Sequence, residues 1–555
     1  MLLLFAAEAS SPLRLLPGDA QAMLHVPRPR ALAENVVGHK LWARAWALEP
    51  FQEQLESTSF RRVRQVIEHF EKALGAKWPA LLDDLAGHGI ALAARQGDRQ
   101  PFLVVAQGRD EKRQAAFAAK LVEVIESATV AANKSEAHGM PVWAFGDGLF
   151  LARAGAALIV GNRRDAVTAA LGRARDGGKK SLAEHPHLVE MAKLLPEDAL
   201  ARAWLDMRPV QSSPEGKRAY ADPRDDFLQT LFFGSYLSVL GRTPFVCAGL
   251  LPEAKGFRVS LRAPRGLDGM GGDRWLHVPL DGGAIRGLLE PEGVIYSLSF
   301  WLDFANIWKR RDKVFNAEQA RGLEEASRNP AFAAFTGSKL SALFESVGGA
   351  HRFVAINQAK AGYRKQPRTL IPAFALVISL RDAEKGGAAF EAAIRATSFF
   401  FVGQLKMVRK EEDEGGVKVH GYRFSEREPL EGDAESFRYN FSPAWVRVGD
   451  QLALASTMEA ARSLVPLLQK ESEVFQVRAR ARAFDRVYAS GLAALMETHA
   501  DTLTAQAVLE RAVPPAGARR EVSALTSLVK SLGGLGTTSI IGKDTWQLDL
   551  WLRVE

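Results

Sequence analysis

The sequence predicts an α+β protein made of two tandem copies of one unit, each an antiparallel sheet with packed helices. Three observations carry this expectation. A Leu-Pro turn followed by alternating apolar residues recurs along the chain, and a strand, an Arg-Asp turn and a helix occur twice in the same order. Hairpins also mix with helices without the regular strand-helix alternation that a parallel sheet needs.

The turn motif is Leu15-Leu16-Pro17-Gly18-Asp19-Ala20, repeated as Leu194-Leu195-Pro196-Glu197-Asp198-Ala199 and more faintly as Leu289-Glu290-Pro291-Glu292-Gly293-Val294. Proline presets φ for a turn. After the second motif Ala199, Ala201, Ala203, Leu205 and Met207 share one face, and after the third Val294, Tyr296, Leu298, Phe300 and Leu302 do. Both read as half-buried strands.

Next comes a strand over 101–107, an Arg109-Asp110 turn and a helix over 115–125, matched by 372–380, Arg381-Asp382 and 388–396. Each copy continues as a hairpin feeding a helix, 149–160 then 162–174, and 444–455 then 456–468. Ser456 and Glu459 have the spacing of a capping box. Closing strands alternate through Phe257, Val259 and Leu261, and through Trp546, Leu548, Leu550 and Leu552. Between strands, Val63, Ile67, Phe70 and Leu74 recur at helical spacing over 60–74.

The offset between copies is about 270 to 295 residues, far beyond the ~20 to 50 of solenoid repeats. The expected organisation is a residual signal-peptide tail over 1–9, a first copy over 15–265, a Gly-rich linker over 266–283 and a second copy over 284–555. In the linker Gly269, Gly271 and Gly272 favour turns.

Composition narrows the classes. The 555 residues are 47% hydrophobic and 25% charged, ordinary for globular domains, with a mild net charge of +8. A single cysteine, Cys247, excludes an intramolecular disulfide, a cysteine-rich zinc site and an iron-sulfur cluster. The opening Met1-Leu2-Leu3-Leu4-Phe5 run leads into Ala7-Glu8-Ala9, the small-x-small form that signal peptidase reads. With no basic residues ahead of it, it reads as the tail of a signal whose start lies upstream. The expected location is extracytoplasmic, periplasmic or secreted. The longest other apolar run, 227–240, carries Gln229, Thr230, Ser235 and Ser238, so a soluble chain without a transmembrane segment is expected.

The chain resembles a bacterial extracytoplasmic family known as a domain of unknown function. The resemblance rests on Leu16-Pro17-x-Asp19-Ala20 opening a strand, on the helical stretch from Ala31 to Leu48-Glu49-Pro50-Phe51, and on Gly87-x-Gly89-Ile90-Ala91-Leu92-Ala93 before 101–107. It implies export and duplicated units, and no established activity. Glu292-Gly293 departs from the motif at its third occurrence, which marks Asp19 as a turn residue and not a shared catalyst.

Catalytic spacings are near misses. Gly172-x5-Gly178-Lys179-Lys180 is one residue too long for a phosphate loop, lacks its Ser or Thr and follows a helix; it reads as a mobile basic loop. Gly534-x-Gly536-x-x-Ser539 lacks the third glycine of a dinucleotide site. His185, His187 and Glu190 are the weak metal candidates, weighed against a helix start opened by Ser181, Glu184 and Pro186. Asp83-Asp84 is assigned no catalytic role, since paired carboxylates act only across a cleft and spacing along the chain does not show one, and Glu411-Glu412-Asp413-Glu414 reads as a hairpin tip before Gly415-Gly416. Arg61-Arg62-x-Arg64, Lys309-Arg310-Arg311-x-Lys313 and Arg478-x-Arg480-x-Arg482 read as solvated helix faces. No catalytic residue, cofactor or nucleic-acid partner is expected. The leading function is a non-enzymatic exported binding or scaffold module with a protein or cell-envelope partner. The alternatives are a hydrolase with a site in the cleft between the copies and a carrier of apolar or anionic ligands.

Overall fold

The computed structural model describes residues 10–46, 48, 51–52, 55–95, 101–128, 130–268, 276–278, 284–330, 333–334, 337–358, 360–433, 435–473 and 483–554. The expected leader over 1–9 and the linker glycines Gly269, Gly271 and Gly272 lie outside these. The fold class is α+β, as the sequence predicts. Two units divide the chain: Met1–Gly216 with Thr243–Pro264, and Lys217–Arg242 with Arg265–Glu555. Residues 217–242, early in the chain, are thus counted with the second unit.

The first unit contains β1 (Ala22–Val26), β2 (Ile90–Ala94), β3 (Phe102–Gln107), β4 (Asn133–Ala137), β5 (Met140–Phe145), β6 (Leu149–Ala154), β7 (Ala157–Gly161), β8 (Ala201–Asp206), β9 (Phe245–Glu253) and β10 (Gly256–Pro264). Across the sheet the order is β4-β5-β6-β7-β3-β2-β1-β8-β9-β10, every neighbour antiparallel. Helix Arg164–Arg175 covers one face, joining Val167, Ala170 and Leu171 to Leu103, Val105 and Ile159. Helix Glu111–Ala128 covers the other, with Ala118 and Val122 against Leu151 and Leu158.

The second unit contains β11 (Val294–Trp301), β12 (Val347–Ile356), β13 (Ala373–Leu380), β14 (Met407–Glu414), β15 (Val417–Phe424), β16 (Ala444–Val448), β17 (Gln451–Ala455), β18 (Ala483–Val487), β19 (Leu532–Ile541) and β20 (Thr545–Val554). Their order is β14-β15-β16-β17-β13-β12-β11-β18-β19-β20, again antiparallel throughout. Helix Met458–Glu473 packs on one face through Ala461, Leu464 and Leu468. On the other, helix Lys385–Gly403 brings Phe390 and Ile394 to Ile378, Trp445 and Leu452. The edge hairpins close alike: His138 and Gly139 sit at φ +55° and +75°, Gly415 and Gly416 at +58° and +78°. A two-residue turn between twisted strands needs positive φ at both positions, which is why the acidic tip ends in two glycines.

Several local expectations are corrected. The buried face of β8 is Arg202, Trp204 and Asp206, while Leu205 is exposed. In β11 the buried residues are Ile295, Ser297 and Ser299, and in β10 Ser260 and Arg262 are buried while Val259 is exposed. Period-two alternation locates a strand, but with packing on both sides of a sheet it does not say which face is deeper.

The capping box also differs. Thr457 Oγ1 accepts from the Ala460 amide at 3.2 Å, whereas Ser456 Oγ accepts from the Phe374 amide at 2.9 Å and Glu459 pairs with Arg423. The described start of the Gly-rich stretch is packed, with the Leu267 and Asp268 amides donating to the Gly542 and Lys543 carbonyls at 2.9 Å.

Candidate ligand-binding cleft

In the second unit, helix Met458–Glu473 covers the strands from β16 to β12, and a cleft of about 700 Å³ opens beyond its C-terminal end, over β18, β19 and β20. Phe484, Arg486, Thr538, Trp551 and Arg553 come from the strands, Leu467, Lys470 and Glu471 from the helix end, and 286–290 close the remaining side. Register explains the floor. Arg486, Gly536 and Trp551 lie in one row across the three strands. The indole crosses Gly536 to reach the guanidinium, whose carbon is 5.8 Å from the ring centroid. Arg553 stacks on the same indole at 4.7 Å.

Charge in the cleft is unevenly satisfied. Glu471 receives Arg352 Nη1 on both oxygens at 2.7 Å. Asp485 accepts from the Thr537 amide at 2.8 Å and from the Tyr296 hydroxyl at 3.2 Å. Glu290 accepts from the Tyr488 hydroxyl and lies 3.7 Å from Arg486. Burial raises both phenols above the ordinary tyrosine value, and Asp485 and Glu290 push the same way. Arg286 is held by Asp450 at 2.5 Å. The carboxylates are therefore occupied by donors from the walls. Lys470 and Arg553, both exposed, make no ion pair among the described residues. A cleft with a mixed polar and apolar lining, in which the Trp551 ring lies under Arg553 and Leu288 and Leu467 add apolar wall, can seat a molecule with a greasy body and an anionic head.

The same end of the strand order is filled in the first unit. There, residues 176–200 link helix to strand and include helix Pro186–Leu194, whose Leu188 and Met191 join Trp204, Phe245 and Cys247 in the core. In the second unit 474–482 alone separate helix from strand.

The weak metal candidates sit on that covering segment. His185 Nδ1 accepts from the His187 amide at 3.2 Å as the helix N-cap, and burial, followed by the charge of His187, lowers its pKa. The His187 ring lies 5.0 Å from Phe245, and Glu190 is exposed. Among the described residues no three His, Cys, Asp or Glu side chains are grouped to hold a metal ion.

The other motifs have structural places. Gly534, Gly536 and Ser539 lie within β19, not in a phosphate-binding loop. Gly172 is inside helix Arg164–Arg175, and Gly178 is a buried turn residue whose amide donates to the Arg173 carbonyl at 2.8 Å. Asp83 pairs with Arg30 and Asp84 with Arg113, each at 2.7 Å. Arg311 stacks on Trp308 at 4.5 Å. Arg478, Arg480 and Arg482 lie outside the described residues. No described helix is long and apolar enough to cross a membrane; 227–240 forms the shorter helix Phe227–Leu240.

No family model and no curated protein matches the chain. Among solved structures, crystal forms I, III and IV of TP0453 match at 12–13% identity and TM-scores of 0.24 to 0.26. These matches cover 46–49% of this chain and 78–90% of those. Scores of that size carry no argument about role.

Proposed function

We propose that the protein is a non-enzymatic binding module whose second unit takes an amphiphilic anion, an apolar chain or ring ending in a carboxylate, sulfate or phosphate. The observation that carries this reading is the split in the cleft: its carboxylates are occupied by Arg352, Tyr296, Tyr488 and the Thr537 amide, while Lys470 and Arg553 make no ion pair among the described residues, Arg553 lying over Trp551. A volume near 700 Å³ lies within the ~300 to 1,000 Å³ range of small-molecule sites.

Dodecanoate, titrated against the full chain and followed by tryptophan fluorescence and calorimetry, tests it. One-to-one saturable binding is expected, weakened about tenfold or more in the Lys470→Ala/Arg553→Ala double variant, because each charge-assisted contact is worth roughly a factor of ten. Dodecanol should bind more weakly by a similar factor. Equal affinity for the alcohol, or no effect of the double variant, removes the anionic head from the reading.

The shared strand order and the placement of the hairpin-fed helices support descent of both units from one duplicated α+β unit. With Ala7-Glu8-Ala9 behind an apolar run, and with the resemblance to the extracytoplasmic family, the proposed setting is outside the cytoplasm. Sequencing the mature N-terminus checks this, and an uncleaved cytoplasmic product rejects it.

A further inference from the structure

Helix Thr58–Leu74 of the first unit is capped by Ser57, whose Oγ accepts from the Phe60 amide, and ends at Gly75 with φ +67°. It is amphipathic, yet much of its apolar side faces outward. Its C-terminal third is seated, the Phe70 ring lying 4.9 Å from Phe117 and Leu74 half-buried. Upstream, Phe60, Val63, Val66 and Ile67 are 44%, 56%, 45% and 42% exposed.

At about 100° per residue these four share one side, and Arg62 and Arg64 fall on its two margins with Arg61 behind. Arg61 and Arg62 make no ion pair among the described residues, and Arg64 approaches Glu68 at 3.5 Å. The remaining acid, Glu71, is held by Lys77 and the Trp78 amide. Beside Phe60 stands Trp46, 6.5 Å away between centroids and stacked on the exposed Trp42.

We propose that this helix docks the protein on an anionic lipid bilayer, lying in the headgroup plane with its apolar ridge in the acyl boundary. A convex apolar ridge with cations along both margins matches a planar surface that is greasy below and negative above. Tryptophans beside it suit the headgroup level. A second copy of the chain on the same ridge would set like cations against one another at both margins, which disfavours self-pairing.

Flotation of the full chain with vesicles of phosphatidylcholine mixed with phosphatidylglycerol, and of phosphatidylcholine alone, tests this. Binding to the mixed vesicles is expected, weakened by salt. Arg62→Ser and Arg64→Ser should each lower partitioning about fivefold, and Arg61→Ser, on the side away from the ridge, by less. Val63→Asp/Ile67→Asp should abolish it, while Leu509→Asp, at an 84% exposed site in the second unit, should leave it unchanged. Circular dichroism verifies that these surface variants remain folded. Absence of flotation, equal binding to phosphatidylcholine alone, or an unaffected Val63→Asp/Ile67→Asp variant overturns the proposal. So does a wild-type dimer that this variant makes monomeric, which would assign the ridge to a second copy.

Discussion

Trp551 lies across Gly536, its registered partner on β19, so closely that a Cβ at 536 would collide with the indole and with the Asp485 carbonyl. Gly536→Ala should therefore destabilise the second unit by roughly 1 to 3 kcal/mol through overpacking, and should displace the indole from Arg486. Urea unfolding measures the first effect. Weaker dodecanoate binding reports the second, and unchanged stability would mean that the strands yield freely at this row.

Arg352 is 1% exposed and depends on Glu471 and Gln451. Glu471→Ala should lower stability by about 3 kcal/mol, since it strands a buried guanidinium. Combining Arg352→Met with Glu471→Leu should recover most of that loss. A double variant no better than the single would show that the pair itself, not the orphaned charge, dominates.

His25 and His351 are buried, and burial lowers both imidazoles to about 4; the charge of Arg202 adds to the effect on His25, while the Leu302 carbonyl and Asp303 oppose it at His351. The unfolded chain takes up these protons as pH falls through 6.5 and the folded chain only near 4. Their contribution to stability is therefore fully present above about pH 6.5 and lost progressively toward pH 4, by about 3 kcal/mol per histidine. A His25→Phe/His351→Asn variant should flatten the stability profile in that window, and an unaltered slope would assign the acid sensitivity elsewhere.

Burial also pushes the Cys247 thiol up to about 12. Iodoacetamide at pH 8 should leave the folded protein unlabelled and modify it fully in urea, because the thiolate is the reactive form. Mass spectrometry of both samples checks this, and rapid labelling without urea would contradict the burial.

Elements whose signals are local were legible from the residues alone. Hairpin 149–160 and its counterpart 444–455 are read from the order that both copies share, and helix Thr58–Leu74 from its periodicity. The depth of a face was not legible, because Ser297 and Ser299 are covered by the preceding segment, the Leu289 amide donating to Ser297 Oγ at 3.1 Å and Ser299 Oγ donating to the Arg286 carbonyl at 2.6 Å. The cap lies at Thr457, one residue beyond the position that the spacing indicates, since Ser456 is drawn to the Phe374 amide on a neighbouring strand. The cleft left almost no local trace: Arg286, Lys470, Arg486 and Arg553 converge from four separate segments. One signal was available, the short run 474–482 where the first unit has 176–200, and it concerns chain length, not residue type.

The excursion of 217–242 also bears on how the chain is made. A ribosome releases helix Phe227–Leu240 before β9 and β10 of the unit around it, and long before Phe315, on which the Phe227 ring stacks at 4.7 Å. Leu228, Phe232 and Phe233 are exposed even in the finished fold, so the nascent helix presents a sticky surface while the second unit is still being synthesised. No single cut in the gene releases either unit whole; a truncation after Pro264 carries an orphaned helix, and a fragment starting at Arg265 lacks one.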